Sequence, residues 1–252
     1  MDLELAGKRA LVTGGSRGIG KQIARELALE GAQVAIVARD PARLAAAAAE
    51  IGSEAGSSVF TATVETTDGD SIRHMTDAVA GALGGIDILV NGAARAGGQG
   101  GPPPRFDGVT SELFFEEMNT KVLGYLRCAQ AAAPYMIERG WGRIINLSGL
   151  AARQSGSVLG SVRNVAVVAM AKNLADELGP HGINVTVVHP GTTRTEATSE
   201  EAASRPASNI VGRLIDAREV AYVVAFLASP KSVAITGDTV VAGGGVPRVI
   251  YY

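Results

Sequence analysis

The chain is poor in several residue types, and each shortage removes a class of function. It has one cysteine, Cys128, in 252 residues, so no internal disulfide can form and a reducing compartment is the expected setting. Cys128 falls in an apolar helical run, where a small core filler is expected rather than a reactive thiol. Neither sign of charge prevails: the formal net charge is −2 and no basic stripe exists. Nucleic acid and anionic membrane are therefore not expected as partners through bulk electrostatics. No uninterrupted apolar stretch approaches ~18 residues, and no secretory h-region opens the chain, so a soluble cytoplasmic protein is expected. The three histidines, His74, His181 and His189, lie apart without ligand spacing, and no metal site is expected. His189 ends an apolar run, where a structural role is the simpler expectation.

What is present is apolar and rhythmic. Hydrophobic residues make up 46% of the chain, and 32 glycines are spread along it without low complexity. Short apolar runs alternate with longer helical patterns, the signature of βαβ units in a parallel sheet. Strands are predicted at Arg9–Thr13, Gln33–Ala38, Val59–Val64, Ile86–Val90, Arg143–Leu147, Asn184–His189 and Thr239–Ala242. Helices are predicted at Gly18–Gly31, from Pro41 through Ile51 behind an Asp40 N-cap, from near Asp70, at Ser111–Arg139, Ser157–Leu178 and Arg218–Leu227. Gly97–Pro104 reads as a flexible loop, and the polar segment Thr192–Gly212 as a mobile lid. No repeat or linker divides the chain, so residues 1–252 are expected to form one domain. The fold class is α/β: a single-domain, Rossmann-type, doubly wound parallel β-sheet with helices on both faces.

Between the first predicted strand and its helix stands Thr13-Gly14-Gly15-Ser16-Arg17-Gly18-Ile19-Gly20. Glycines there allow a sharp turn and let backbone N–H groups approach a pyrophosphate, which a helix N-terminus favours electrostatically. The segment resembles the T-G-x-x-x-G-x-G fingerprint of the short-chain dehydrogenase/reductase family. Asn91-Gly92-Ala93-Ala94 is similar to the family's N-N-A-G, and Pro190-Gly191 with Thr195 to its P-G-x-x-x-T. Ile235-Thr236-Gly237 with Gly243-Gly244-Gly245 resembles its C-terminal signature, so the likeness covers nearly the whole chain.

The resemblance implies a pyridine-nucleotide site built from Gly14, Ser16, Arg17, Gly18, Ile19, Gly20, Asn91, Gly92, Ala93, Pro190, Gly191, Thr192, Thr193 and Thr195. Val64 and Glu65 fall where the family lines the adenine. At the end of the second strand an acidic residue would favour NAD. Ala38 stands there instead, followed by Arg39, which together with Arg17 suits a 2′-phosphate, so NADP is expected over NAD.

The family's chemistry uses a Tyr and, four residues later, a Lys that lowers its pKa, with a Ser and an Asn in support. By spacing, the Tyr position falls on Gly160, the Lys position on Asn164, the Ser position on Gly149 beside Ser148, and the Asn position on Lys121. No tyrosine occurs between Tyr135 and Tyr222, so a Tyr-x-x-x-Lys pair is absent from this stretch. Relative to the family pattern, a lysine and an asparagine have exchanged places. Lys121 is therefore expected to project into the pocket as a proton donor or carbonyl polariser, while Asn164 bonds the nicotinamide ribose and Ser148 offers a hydroxyl. Two functions remain open on sequence: an NADP(H)-dependent oxidoreductase with a non-standard active site, or a coenzyme-binding sensor or partner subunit without turnover. The partners expected are a small-molecule substrate, lined by residues 94–106, 150–159 and 192–212, and further copies of the chain. A homotetramer or homodimer is expected, built through the two long central helices and the tail from Val246.

Overall fold

A computed structural model describes residues 1–94, 104–204, 207–248 and 250. The elements run β1 (Arg9–Thr13), α1 (Gly18–Leu29), β2 (Gln33–Ala38), α2 (Pro41–Ala55), β3 (Val59–Thr63), α3 (Gly69–Leu83), β4 (Ile88–Asn91), α4 (Ser111–Glu117), α5 (Gly124–Arg139), β5 (Gly142–Leu147), α6 (Val158–Leu178), β6 (Ile183–Pro190), β7 (Thr193–Arg194), α7 (Glu200–Ser204), β8 (Ile215–Asp216), α8 (Ala217–Ala228) and β9 (Thr239–Ala242). Seven strands form a parallel sheet in the order β3-β2-β1-β4-β5-β6-β9. The order reverses between β1 and β4, which opens a crevice at the carboxyl ends of the strands, where ligands bind in doubly wound sheets.

Period-two alternation in each strand feeds two cores. Ala10, Val12, Val34 and Ile36 face one side, where α1, α2 and α8 supply Ile23, Leu27, Leu44 and Val220. Leu11, Ala35 and Val37 face the other, packed by Ile72, Val79, Met136 and Val167 from α3, α5 and α6. Each fully buried Val, Leu or Ile contributes about 1.5–3 kcal/mol, so the two layers hold the sheet from both faces. Cys128 belongs to the second core, where burial pushes its thiol pKa up to about 12.

Local capping sets most boundaries. Asp40 and Asp68 accept backbone N–H bonds at the starts of α2 and α3, Ser157 does so for α6, and Asp216 with Glu219 forms a capping box on α8. Left-handed Gly56, Gly84 and Gly140 end α2, α3 and α5.

Two expectations change. The long helix predicted over Ser111–Arg139 is interrupted by a π-helical turn, Met118–Leu123, between α4 and α5. Hydropathy pattern cannot register one extra residue per turn, and such turns concentrate at functional sites. The weakly patterned Thr192–Gly212 segment carries β7 and α7, and β7 pairs with β8 in a small parallel ladder. Most of the expected loop Gly97–Pro104, and tail positions 249, 251 and 252, lie outside the described residues. Among the described residues, no helix is long and apolar enough to cross a membrane, and no cluster of three His, Cys, Asp or Glu side chains stands ready for a metal.

Candidate active site

At the crevice lies a cleft of about 1630 Å³, open along the carboxyl ends of the strands. Single small-molecule sites commonly span about 300–1,000 Å³, so this one has room for a dinucleotide and a second ligand. The glycine turn forms its floor. Gly14 has φ +72°, and a Cβ there would lie 2.9 Å from Gly92 O; a Cβ on Gly20 would lie 2.3 Å from Gly14 O. The turn is therefore folded tightly on itself and against the end of β4, a packing only glycine permits. Thr13 Oγ1 accepts from the N–H groups of Gly92 and Ala93 at 3.0 and 3.2 Å, binding the two strand ends together. A dinucleotide fits this donor set: a glycine-lined turn opens a helix whose N-cap, Arg17, makes no side-chain capping bond.

The expected coenzyme residues gather on the cleft wall, with one exception. Gly14, Ser16, Arg17, Gly18, Ile19 and Gly20 line it at the glycine turn, Ala38, Arg39, Val64 and Glu65 at one end, Gly92 and Ala93 in the middle, and Pro190, Gly191, Thr192, Thr193 and Thr195 opposite. Asn91 is fully buried beneath the floor, where its Nδ2 donates to Tyr125 O at 3.3 Å and Asn146 Oδ1 at 2.9 Å. It fastens β4 to β5 and α5 and does not reach the cleft. Arg43, missed on sequence, also lines the Arg39 end and pairs with Asp40. Its position four residues past Arg39 was the available signal.

The three candidate catalytic residues converge. Lys121, on the π-turn, is only 5% exposed, and its Nζ donates to Asn164 Oδ1 at 2.8 Å and Ser148 O at 3.1 Å. Ser148 Oγ in turn donates to Asn164 O at 3.0 Å. Gly149 makes this closeness feasible, because a Cβ there would stand 3.3 Å from Asn164 Nδ2. Lys121, Ser148, Gly149 and Asn164 all line the cleft. Gly160 lies one turn before Asn164 on α6, where a Cβ would meet Ser157.

Burial pushes the Lys121 pKa down to about 7, Arg163 pushes it further, and Glu117 opposes them. Arg163 and Glu117 form an ion pair that bridges α6 to α4, with Glu117 one helical turn before Lys121 and Arg163 next to Asn164. Two more groups complete the surroundings. The Tyr125 ring centroid lies 5.9 Å from Lys121 Nζ, but its hydroxyl donates to Leu147 O at 3.1 Å and burial raises its pKa. His189 is buried at the end of β6, and its Nδ1 accepts from Gly149 N–H at 3.3 Å. Burial, then Arg153 and Lys121, push its pKa down to about 4, so the ring is neutral and carries its proton on Nε2.

One further contact joins the chain's distant parts. Gly18 N–H, at the opening of α1, donates to Glu196 Oε1 at 2.7 Å. Glu196 stands directly after Thr195 in the segment beyond β6, and it also lines the cleft.

Comparisons with known proteins place this geometry. The short chain dehydrogenase family model matches residues 8–206. The 3-oxoacyl-(acyl-carrier-protein) reductase FabG of Haemophilus influenzae is 34% identical over 256 residues, covering 96% of this chain and 99% of that protein. A short chain dehydrogenase from Burkholderia cenocepacia J2315, solved in complex with NADP, is 34% identical with a TM-score of 0.84, over 96% of this chain and 98% of that one. L-Sorbose reductase from Gluconobacter frateurii, solved with NADPH and L-sorbose, is 26% identical with a TM-score of 0.90, over 99% and 100% of the two chains. A Rossmann-type sheet, a glycine turn under its switch point and a family match over most of the sequence agree: the chain belongs to the short-chain dehydrogenase/reductase family of oxidoreductases.

Proposed function

We propose that the protein is an NADP(H)-dependent oxidoreductase interconverting a small carbonyl compound and its alcohol, with Lys121 handling the proton that a tyrosine handles in the family's usual pattern. The observation that carries this reading is the pair of bonds from Lys121 Nζ to Ser148 O and Asn164 Oδ1. Both oxygens can only accept, so Nζ must donate twice. An uncharged amine has two N–H groups, and both are committed; the ammonium has three. Protonation thus adds a single donor that the cleft can use, and deprotonation leaves a lone pair in its place. A pKa near neutrality lets either form be populated, which a general acid–base group requires.

When bound, the nicotinamide supplies or takes up the hydride. Lys121 gives its third proton to the substrate oxygen during reduction and recovers one from the hydroxyl during oxidation. Asn164, with Oδ1 held by Lys121, has Nδ2 left to bond a ribose hydroxyl of the coenzyme. Neutral His189 holds the Gly149 amide and so fixes the chain leaving β5 beside the reacting centre. Preference for NADP over NAD is supported by Arg17 and Arg39 on the cleft wall and by the absence of an acidic side chain at position 38. The NADP and NADPH held by the Burkholderia and Gluconobacter relatives point the same way.

A second copy of the chain is the proposed partner. Val158, Val162 and Val165 form an exposed apolar stripe at helical spacing on α6, and Phe115 on neighbouring α4 is 69% exposed. Such a stripe beside the site suits a helix-on-helix homodimer interface.

The test is NADPH and NADH titration of the purified protein, then turnover of a carbonyl panel by wild type and Lys121→Met. NADPH should bind more tightly than NADH, and Lys121→Met should keep NADPH binding while losing about 10²–10⁴-fold in turnover. Turnover by Lys121→Met equal to wild type would remove Lys121 from the mechanism.

A further inference from the structure

We infer that Glu196 is a built-in competitor for the coenzyme's pyrophosphate, a carboxylate that occupies the anion-binding end of α1 and must leave when a dinucleotide enters. This goes beyond the reading above and rests only on its coenzyme part.

Helix α1 lacks a side-chain cap of its own. Its N-cap, Arg17, makes no side-chain capping bond, and its first turn contains no acidic residue. Helices α2, α3, α6 and α8 are all capped by their own N-cap side chains. A helix start carries unsatisfied N–H donors and about half a positive charge, so an uncapped one attracts an anion. The fold answers that demand from the far side of the crevice: Gly18 N–H donates to Glu196 Oε1 at 2.7 Å across 178 residues of sequence.

Glu196 is delivered there by a built turn. Thr195 N–H donates to Thr198 Oγ1 at 3.0 Å, Thr198 N–H donates back to Thr195 O at 3.0 Å, and Ala197 N–H donates to Thr195 Oγ1 at 3.3 Å. The base of the turn is anchored by β7 pairing with β8 and by Arg194 with Asp216, itself the cap of α8. Thr195 Cγ2 would lie 3.6 Å from a Cβ on Gly18, so the turn sits directly over the glycine floor. Glu196 and Gly18 both line the cleft.

A carboxylate and a pyrophosphate are both anions seeking the same N–H donors. They cannot share Gly18 N–H, and in proximity they repel. Coenzyme entry therefore expels Glu196 and with it shifts the 195–198 turn, which also lines the cleft through Thr198. Coenzyme loss lets the carboxylate return. Glu196 lowers coenzyme affinity and promotes its exchange.

The experiment compares wild type with Glu196→Gln and Glu196→Ala. Binding of NADPH and, separately, of inorganic pyrophosphate is measured by calorimetry, and melting is recorded with and without saturating NADPH. A cap of this kind corresponds to roughly a two- to fivefold change in equilibrium, so both variants should bind NADPH and pyrophosphate about that much more tightly. Without coenzyme both should melt below wild type, and the gap should close at saturation. Unchanged or weaker binding by the variants, or equal melting without coenzyme, overturns the inference. Wild type that binds no NADPH at all overturns the coenzyme reading instead, and the coenzyme-free melting comparison still decides whether Glu196 caps α1.

Discussion

Lys121 Nζ and Asn164 Oδ1 stand 2.8 Å apart, one on a π-turn between α4 and α5, the other on α6. The contact joins two residues 43 positions apart in the sequence, both of which line the cleft. Each residue makes the other tolerable: the buried amine finds an acceptor, and the buried amide oxygen finds a donor. Gly149 keeps the space that Asn164 needs. Changes at any of the three positions should therefore not be additive.

Lys121 should give the reaction a pH signature. With its pKa lowered to about 7, reduction, which needs the ammonium, should slow as pH rises through neutrality. Oxidation, which needs the amine, should speed up over the same range. Stability should respond as well. Between about pH 7 and an ordinary lysine value of roughly 10.4 the unfolded chain binds more protons at this residue than the folded one, so unfolding free energy should rise with pH there. Below about pH 7 both states are protonated and this contribution is flat. Urea melts of wild type and Lys121→Met from pH 6 to 10 read the difference; parallel curves would contradict the shift.

Glu117 and Arg163 should move that pH profile in opposite directions. Arg163→Met removes a cation that lowers the Lys121 pKa, so the midpoint should rise. Glu117→Gln removes an anion that raises it, so the midpoint should fall. A merely structural ion pair would give two variants with the same defect and no opposed shift. Rate–pH profiles of kcat make the comparison.

Arg39 should discriminate between coenzymes. Arg39→Ala, and more so with Arg17→Ala, should weaken NADPH by about tenfold or more, since hydrogen bonds to charged groups contribute roughly 1.5–3 kcal/mol, while leaving NADH nearly unchanged. Parallel titrations with the two nucleotides test this, and equal losses for both would point to a general defect of the cleft.

Gly20 should tolerate no side chain. A Cβ there would lie 2.3 Å from Gly14 O, so Gly20→Ala must displace the backbone of the turn. Overpacking of this kind costs about 1–3 kcal/mol, and here it should lower the melting temperature and reduce NADPH affinity together.

The α6 stripe should govern assembly. Val162→Glu with Val165→Glu places charge on two residues 39% and 50% exposed, which should leave the monomer folded but shift it to lower molecular mass in light scattering. An unchanged mass would move the interface elsewhere.

Much of this was legible in the chain before folding. Strand alternation in Arg9–Thr13 and Gln33–Ala38 forces two cores and hence helices on both faces, and Thr13 through Gly20 cannot pack as they do with any other residue at Gly14 and Gly20. Those are local or periodic features, and sequence determines them because steric limits and side-chain period act over a few residues. The sequence also determined which groups were available: a lysine at 121, an asparagine at 164, and no tyrosine between 135 and 222. Only the tertiary structure decided what they became. The π-turn that carries Lys121, the burial that brings its pKa toward neutrality, the placing of Asn91 under the floor and the reach of Glu196 to Gly18 all depend on segments far apart in the chain. Desolvation and long-range hydrogen bonding arise only once the layers have closed, and no periodicity in the chain encodes them.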